Sequence, residues 1–130
     1  MEGKPDARTG TIEAPLGRDR RVRTRVSTET DAPREAITDF ALERALPTAT
    51  LLRVRLRTGR THQIRAHLQA IGHPVVGDPE YGTAGLLGLE RQFLHAARLA
   101  FVHPVTGEPV DVSSPLPDEL RRALDRAAAA

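Results

Sequence analysis

Residues 51–57, LLRVRLR, alternate without a break: Leu52, Val54 and Leu56 fall on one side of an extended chain, and Arg53, Arg55 and Arg57 on the other. The pattern predicts a half-buried strand with an arginine-lined outer face. Thr58-Gly59 then turns the chain. In THQIRAHLQAIG, Ile64, Leu68 and Ile71 recur at i, i+4 and i+7, the narrow apolar stripe of a helix from about Thr61 to Ile71. Thr61 is the expected N-cap. Gly72 followed by His73-Pro74 is the expected stop.

Elsewhere the periodicity is weaker. Residues 1–21 read as loop with one extended piece around Thr11-Ile12, and VRTRVS (22–27) alternates as a strand. REAITDFALER (34–44) fits two periods: Ala36, Thr38, Phe40 and Leu42 suit a strand, whereas Ile37, Phe40, Ala41 and Arg44 suit a helix. The Gly and Pro content of residues 75–90 predicts a long ordered loop. FLHAARLAFV (93–102) and EPVDVS (108–113) predict a hairpin around VTG. A last helix should start near Pro117, with Asp118 and Glu119 in its first turn and Arg121, Arg122 and Arg126 beyond. Strands, a helix, more strands and a terminal helix predict an α+β domain rather than a doubly wound α/β one.

Composition narrows the class. A chain of 130 residues that is 39% hydrophobic, with three Phe, one Tyr and no Trp, supports one domain with a modest core of Leu, Val, Ile and Ala. With no Cys there is no disulfide framework and no thiolate ligand or nucleophile. No apolar run approaches the ~18 residues of a membrane span, and MEGKPDARTG lacks a signal-peptide core, so a cytoplasmic location is expected.

Charge is informative through its distribution. The net charge is only +2, yet no acidic residue lies between Glu43 and Asp78, while Arg44, Arg53, Arg55, Arg57, Arg60 and Arg65 all do. A second basic cluster, GRDRRVRTR, covers residues 17–25. The 17–25 cluster reads equally as a solvated face. In the acid-free window, unbalanced positive charge points to an anionic partner, and polyphosphate chains are the commonest.

Several chemistries are disfavoured by spacing. His62 and His67 are five apart on the expected helix, which rotates them away from each other, whereas a zinc pair needs three or four. His73, Asp78 and His95 meet only if tertiary folding brings them together. Ser occurs at 27, 113 and 114 without the small-residue elbow of a nucleophile. No Gly-Lys-Ser or Gly-Lys-Thr marks a nucleotide-hydrolase loop. What remains is a Thr-Gly turn feeding a helix N-terminus, whose free amides and dipole favour an anion. Arg60 sits at that turn, and Arg65 lies at the edge of the buried face, on the flank of His62 and Gln69. There it could grip a carboxylate or a phosphate with both arms of its fork, or merely cap a neighbouring strand.

TGRTHQIRAHL (58–68) followed by GHPVVGDPEYG (72–82) resembles the signature block of the RluA-type family of RNA pseudouridine synthases. GTIEAPLGRD (10–19), REAITDF (34–40), RQFLHAARLAFVHPVTGEPV (91–110) and PLPDEL (115–120) resemble further family segments in the same order. Asp31-Ala32-Pro33 stands where the family has Gly-Lys-Pro. The resemblance implies that 34–44 is a strand. It implies an α+β fold with a mostly antiparallel or mixed sheet, a buried helix after the TGRTHQIR turn and a C-terminal helix. Residues 1–130 would be the C-terminal part of one catalytic domain.

The family isomerises uridine to pseudouridine in RNA without cofactor or metal. By position, Arg65 matches the family arginine that pairs with the catalytic aspartate, keeping it ionised and oriented. Arg60, Thr61, His62 and Gln63 of the same block, with Arg53, Arg55 and Arg57 of the strand, are the expected RNA contacts. The partner implied is ribosomal or transfer RNA, with no membrane.

One departure is large. The family's His-Arg-Leu-Asp block and its base-stacking Tyr are not in this sequence. Asp6 in PDARTG is only a loose likeness of that block, and Tyr81 belongs to the GDPEYG loop. Alone, the chain is therefore expected to be inactive, and marginally stable or prone to aggregate, with the missing N-terminal half of the domain as a further partner. A non-catalytic RNA-binding remnant and a small structural domain with vestigial likeness are the alternatives.

Overall fold

The alternating segment pairs with the segment whose period was ambiguous. In the computed structural model, which describes residues 1–129, β4 (Ile37–Ala45) and β5 (Thr50–Leu56) form an antiparallel hairpin. Four residues, 46–49, close it through a bond from the Leu46 amide to the Ala49 carbonyl, 3.0 Å. β1 (Thr9–Glu13) adds to the other side of β4, giving a three-stranded sheet of order β1-β4-β5. An irregularity between Leu42 and Arg44 sets two residues of β4 against Leu51 alone, a bulge that leaves Glu43 out of the pairing. Met1–Gly3 lies along the start of β5, with Thr50 N donating to Met1 O and Gly3 N to Thr48 O.

One face of the sheet is buried because its side chains alternate as the sequence pattern requires. Ile12, Phe40 and Leu52 pack with Met1, Ile64, Leu68, Val75 and Phe93. Gly10 is needed there: a Cβ at that position would stand 2.6 Å from the Phe40 ring.

α1 (Gln63–Ala70) covers this face, inside the expected 61–71 window but with a different start and a different buried side. The residue before it is His62 rather than Thr61, its backbone is left-handed (φ 52°), and no side chain caps the helix. The expected stripe Ile64, Leu68 and Ile71 is displaced as well. The buried residues are Gln63, Ala66, His67 and Leu68, while Ile71 is 38% exposed. Polar Gln63 and His67 take the inner face because every group they bury there has a hydrogen-bond partner.

The basic segment expected as one strand over 22–27 is strand only at β3 (Val26–Ser27), which pairs with β2 (Gly17–Arg18). β3 and the Tyr81 loop close a second cluster with α1: Leu16, Ala36, Ala66, Tyr81 and Val26. Past the loop, a single 3-10 turn at Leu86–Gly88 precedes the hairpin of β6 (Arg98–Val102) and β7 (Pro109–Ser113). α2 (Asp118–Ala129) buries Leu120, Ala123 and Ala127, and Leu120 and Ala123 pack with Leu89. The α+β architecture with antiparallel sheets is thus as the sequence predicts. No helix is long and apolar enough to cross a membrane among the described residues.

Candidate functional site

The Thr-Gly turn and the first residues of α1 are organised by Gln63, which is 3% exposed. Its side-chain amide donates to Ile37 O (3.0 Å) and Thr38 Oγ1 (2.9 Å). Its oxygen accepts the Thr58 hydroxyl (2.7 Å) and the Arg60 amide (2.9 Å). Both donors and both acceptor positions are filled. Gln63, expected to touch RNA, is instead the internal peg that fixes the turn to β4, because burial leaves it no free polar group.

The next buried polar group continues this network. His67 Nε2 lies 2.8 Å from Ala14 O, an acceptor, so Nε2 carries the proton. Nδ1 then accepts the Thr38 hydroxyl at 2.7 Å. Gln63, Thr38 and His67 thereby form one chain of bonds from the turn to Ala14, just past the end of β1.

Between Gln63 and His67, on another side of α1, Arg65 reaches the loop that follows. Its Nε donates to Asp78 Oδ2 at 2.7 Å and its Nη2 to Asp78 Oδ1 at 2.9 Å, with Glu80 Oε2 at 3.3 Å from Nη2. The Arg65 side chain is 11% exposed and that of Asp78 is fully buried. Burial would push the Asp78 carboxyl up. The Arg65 guanidinium and the amides of Tyr81 and Glu80 outweigh it and hold the group below the usual carboxylate range. The same pairing raises Arg65 further. Both ends therefore stay charged.

Tyr81 ties this pair to the basic ribbon. Its ring is 3% exposed, too covered to stack on a base, and lies under two guanidiniums, Arg25 at 4.5 Å and Arg65 at 4.9 Å. Its hydroxyl donates to Val26 O and accepts the Val26 amide, each at 3.0 Å. His62 Nδ1 is 3.2 Å from the same oxygen. With the hydroxyl proton already given to Val26, His62 Nδ1 is the donor. His62 thus keeps its left-handed backbone, which costs about 1 kcal/mol or more, while held by Tyr81 on one side and by Ala66 N donating to its carbonyl on the other.

The remaining predicted residues are distributed differently. Arg53 and Arg55 do line the exposed face of β5, with Arg57 just past its end. However, Arg53 pairs with Glu43 at 3.0 Å and Arg57 with Asp39 at 2.7 Å, leaving Arg55 without an ion pair among the described residues. Arg60 Nε donates to Glu35 O at 2.8 Å, and Thr61 is exposed at the turn. Asp78 does not meet His73 or His95. His73 contacts Glu2 O, and His95 contacts Ser114 O. No group of three His, Asp or Glu could hold a metal ion among the described residues.

Asp78, Glu80, Tyr81 and Arg25 were not foreseen as members of one site. The available signal was Asp-Pro-Glu-Tyr-Gly itself, since an Asp opening such a turn accepts amides two and three residues on. Asp78 does so from Glu80 and Tyr81, each at 3.0 Å.

Comparison with known proteins places this geometry in context. Residues 3–70 match the RNA pseudouridylate synthase family. An uncharacterised RNA pseudouridine synthase of Mycobacterium bovis is 45% identical over 128 residues, covering 95% of this chain and 41% of the relative. Ribosomal large subunit pseudouridine synthase D of Xanthomonas campestris is 41% identical, over 88% of this chain and 38% of the relative. The solved structure of human RNA pseudouridylate synthase domain containing 1 superposes with a TM-score of 0.73 at 32% identity, covering 87% of this chain and 50% of that one. The chain spans about two fifths of the length of the curated relatives it matches.

Proposed function

The chain belongs to the RluA-type RNA pseudouridine synthase family, and on that premise we propose that it supplies part of the site that isomerises uridine to pseudouridine in ribosomal or transfer RNA. Pseudouridine differs from uridine only in which base atom bonds the ribose. The bond from C1′ to N1 breaks, one to C5 forms, and the C5 proton is exchanged for one on N1. Nothing is added or removed overall, so the chemistry calls for a positioned carboxylate and a held base rather than a cofactor.

The observation that carries the reading is the geometry of Arg65. Its Nε and Nη2 are fixed on Asp78, while Nη1 has no hydrogen-bond partner among the described residues. A guanidinium clamped on one edge by a buried carboxylate presents its other edge in a set direction. We assign that edge to the catalytic aspartate of the His-Arg-Leu-Asp block, which Arg65 keeps ionised and oriented. That block is not among these residues, and we assign it to the N-terminal half of the domain, on the same polypeptide or a partner. The intact mass of the endogenous polypeptide decides which: well above 14.2 kDa for one chain, equal to it for two.

The test of function is genetic. In source cells carrying Arg65→Ala, at least one pseudouridine of ribosomal or transfer RNA should vanish from a transcriptome-wide map, with Arg65→Lys recovering little because a single ammonium cannot hold two edges. A map identical to wild type overturns the assignment and favours an RNA-binding role without catalysis.

A further inference from the structure

A second concentration of uncompensated charge lies off β5, beside Arg65's clamp. Between Gly17 and Ser27 the sequence sets five arginines against one aspartate. The pairing of Gly17 with Ser27 and Arg18 with Val26 folds this segment back on itself, so Arg18, Arg20, Arg21, Arg23 and Arg25 share one small ribbon. Its aspartate is spent on shaping the turn. Asp19 Oδ1 accepts the amides of Arg21 (2.8 Å) and Val22 (2.7 Å), and Oδ2 accepts the Ser27 hydroxyl at 2.6 Å. Arg20 pairs with Asp31 at 2.9 Å. Among the described residues, Arg18, Arg21, Arg23 and Arg25 make neither an ion pair nor a side-chain hydrogen bond.

The strand arginines differ in this respect. Asp39 and Glu43 of β4 already neutralise Arg57 and Arg53, so the face singled out by its acid-free sequence window carries less net charge than the ribbon. Arg25 adds an independent sign. Its Nε is buried without any hydrogen-bond partner, which costs about 1–3 kcal/mol unless an acceptor arrives. The residue after it, Val26, is bonded through both backbone groups to Tyr81, whose ring also lies under Arg65. The ribbon is therefore registered to the Arg65 site by one side chain.

We infer that the β2–β3 ribbon, through Arg18, Arg21, Arg23 and Arg25, grips the phosphate backbone of the RNA next to the Arg65 site; this rests on the RNA reading above. The contact is ionic and sequence-independent, setting the strand's position rather than choosing its bases.

The test is fluorescence anisotropy of the chain with a labelled RNA stem-loop bearing a uridine-rich loop, titrated between about 50 and 200 mM salt. The variant Arg18→Ala/Arg21→Ala/Arg23→Ala spares Arg25 and touches only side chains without partners, so its melting midpoint should match wild type. It should weaken binding by tenfold or more at the low end. It should also reduce the slope of log affinity against log salt by about 2, three single-strand phosphate contacts at about 0.7 each. Lysine at the same three positions should keep the slope. Arg53→Ala/Arg57→Ala should cost threefold or less. Wild-type binding by the ribbon variant, or a larger loss from the β5 pair, overturns the inference and leaves the RNA reading standing. A wild-type chain that binds no RNA overturns both.

Discussion

Asp78 keeps its charge in a place where a lone carboxylate would give it up. It is fully buried, and four donors surround it: two from the Arg65 fork and the amides of Glu80 and Tyr81. Asp78→Asn keeps the shape but leaves the almost buried Arg65 with only Glu80, partly exposed and 3.3 Å away, as counter-ion, a loss of about 3 kcal/mol of stability. The pH dependence follows from the lowered carboxyl. A group whose folded pKa lies below its unfolded value stabilises the fold above that unfolded value, about 3.9, and loses the effect as pH falls through the folded one. Urea unfolding of wild type and Asp78→Asn should thus differ by the full amount at pH 7, and the gap should begin to narrow below about pH 4. A gap that stays constant across that range would show that the pair is not what Asp78 contributes.

Individual elements were legible where apolar residues alone decide them. β5 and β7 sit close to where their patterns put them, and α2 starts where Pro117 and its acidic first turn put it. β6 keeps only the second half of the 93–102 segment, and β4 is settled as a strand by resemblance rather than by its two-way periodicity. α1 was legible in extent but not in orientation, because Gln63 and His67 are polar by composition and apolar by position once Thr38, Ile37 and Ala14 absorb their hydrogen bonds. The net charge around the β5 arginines was not legible in the sequence, for a related reason. Their window is free of acids along the chain, yet β4 supplies Asp39 and Glu43 from across the sheet, and cross-strand neighbours are invisible to a one-dimensional count. Site members Asp78 and Tyr81 were hidden similarly, since their partners Arg65 and Val26 lie 13 and 55 residues away.

The β6–β7 hairpin was foreseen, but its exposure was not. Leu99 (59% exposed) faces Val112 (53%), with Phe101 at 45% on the same strand face, a contiguous apolar strip of the sort that drives association. Leu99→Lys with Val112→Glu places opposite charges across that pair. Light scattering should show less self-association, and stability should change by no more than about 0.5 kcal/mol. A loss of 2 kcal/mol or more would mean that the strip is packed against something within the chain.

At the scale of the whole molecule, three apolar clusters make the core; Phe93 packs against both the first and the third, and polar side chains tie the elements around the first two. Gln63 and Thr38 join turn to sheet, His67 joins helix to β4 and to Ala14 after β1, and Tyr81 joins the loop to the ribbon. The last of these has a consequence on the time axis. The Val26 amide gives its proton not to another strand but to the Tyr81 hydroxyl. Its exchange with deuterated solvent therefore reports each opening of the loop away from the ribbon, while amides in the β4–β5 ladder wait for rarer, larger openings. Tyr81→Phe should speed exchange at Val26 alone, leaving the ladder slow. One backbone hydrogen would then act as a clock for how often the Arg65 clamp and the basic ribbon come apart.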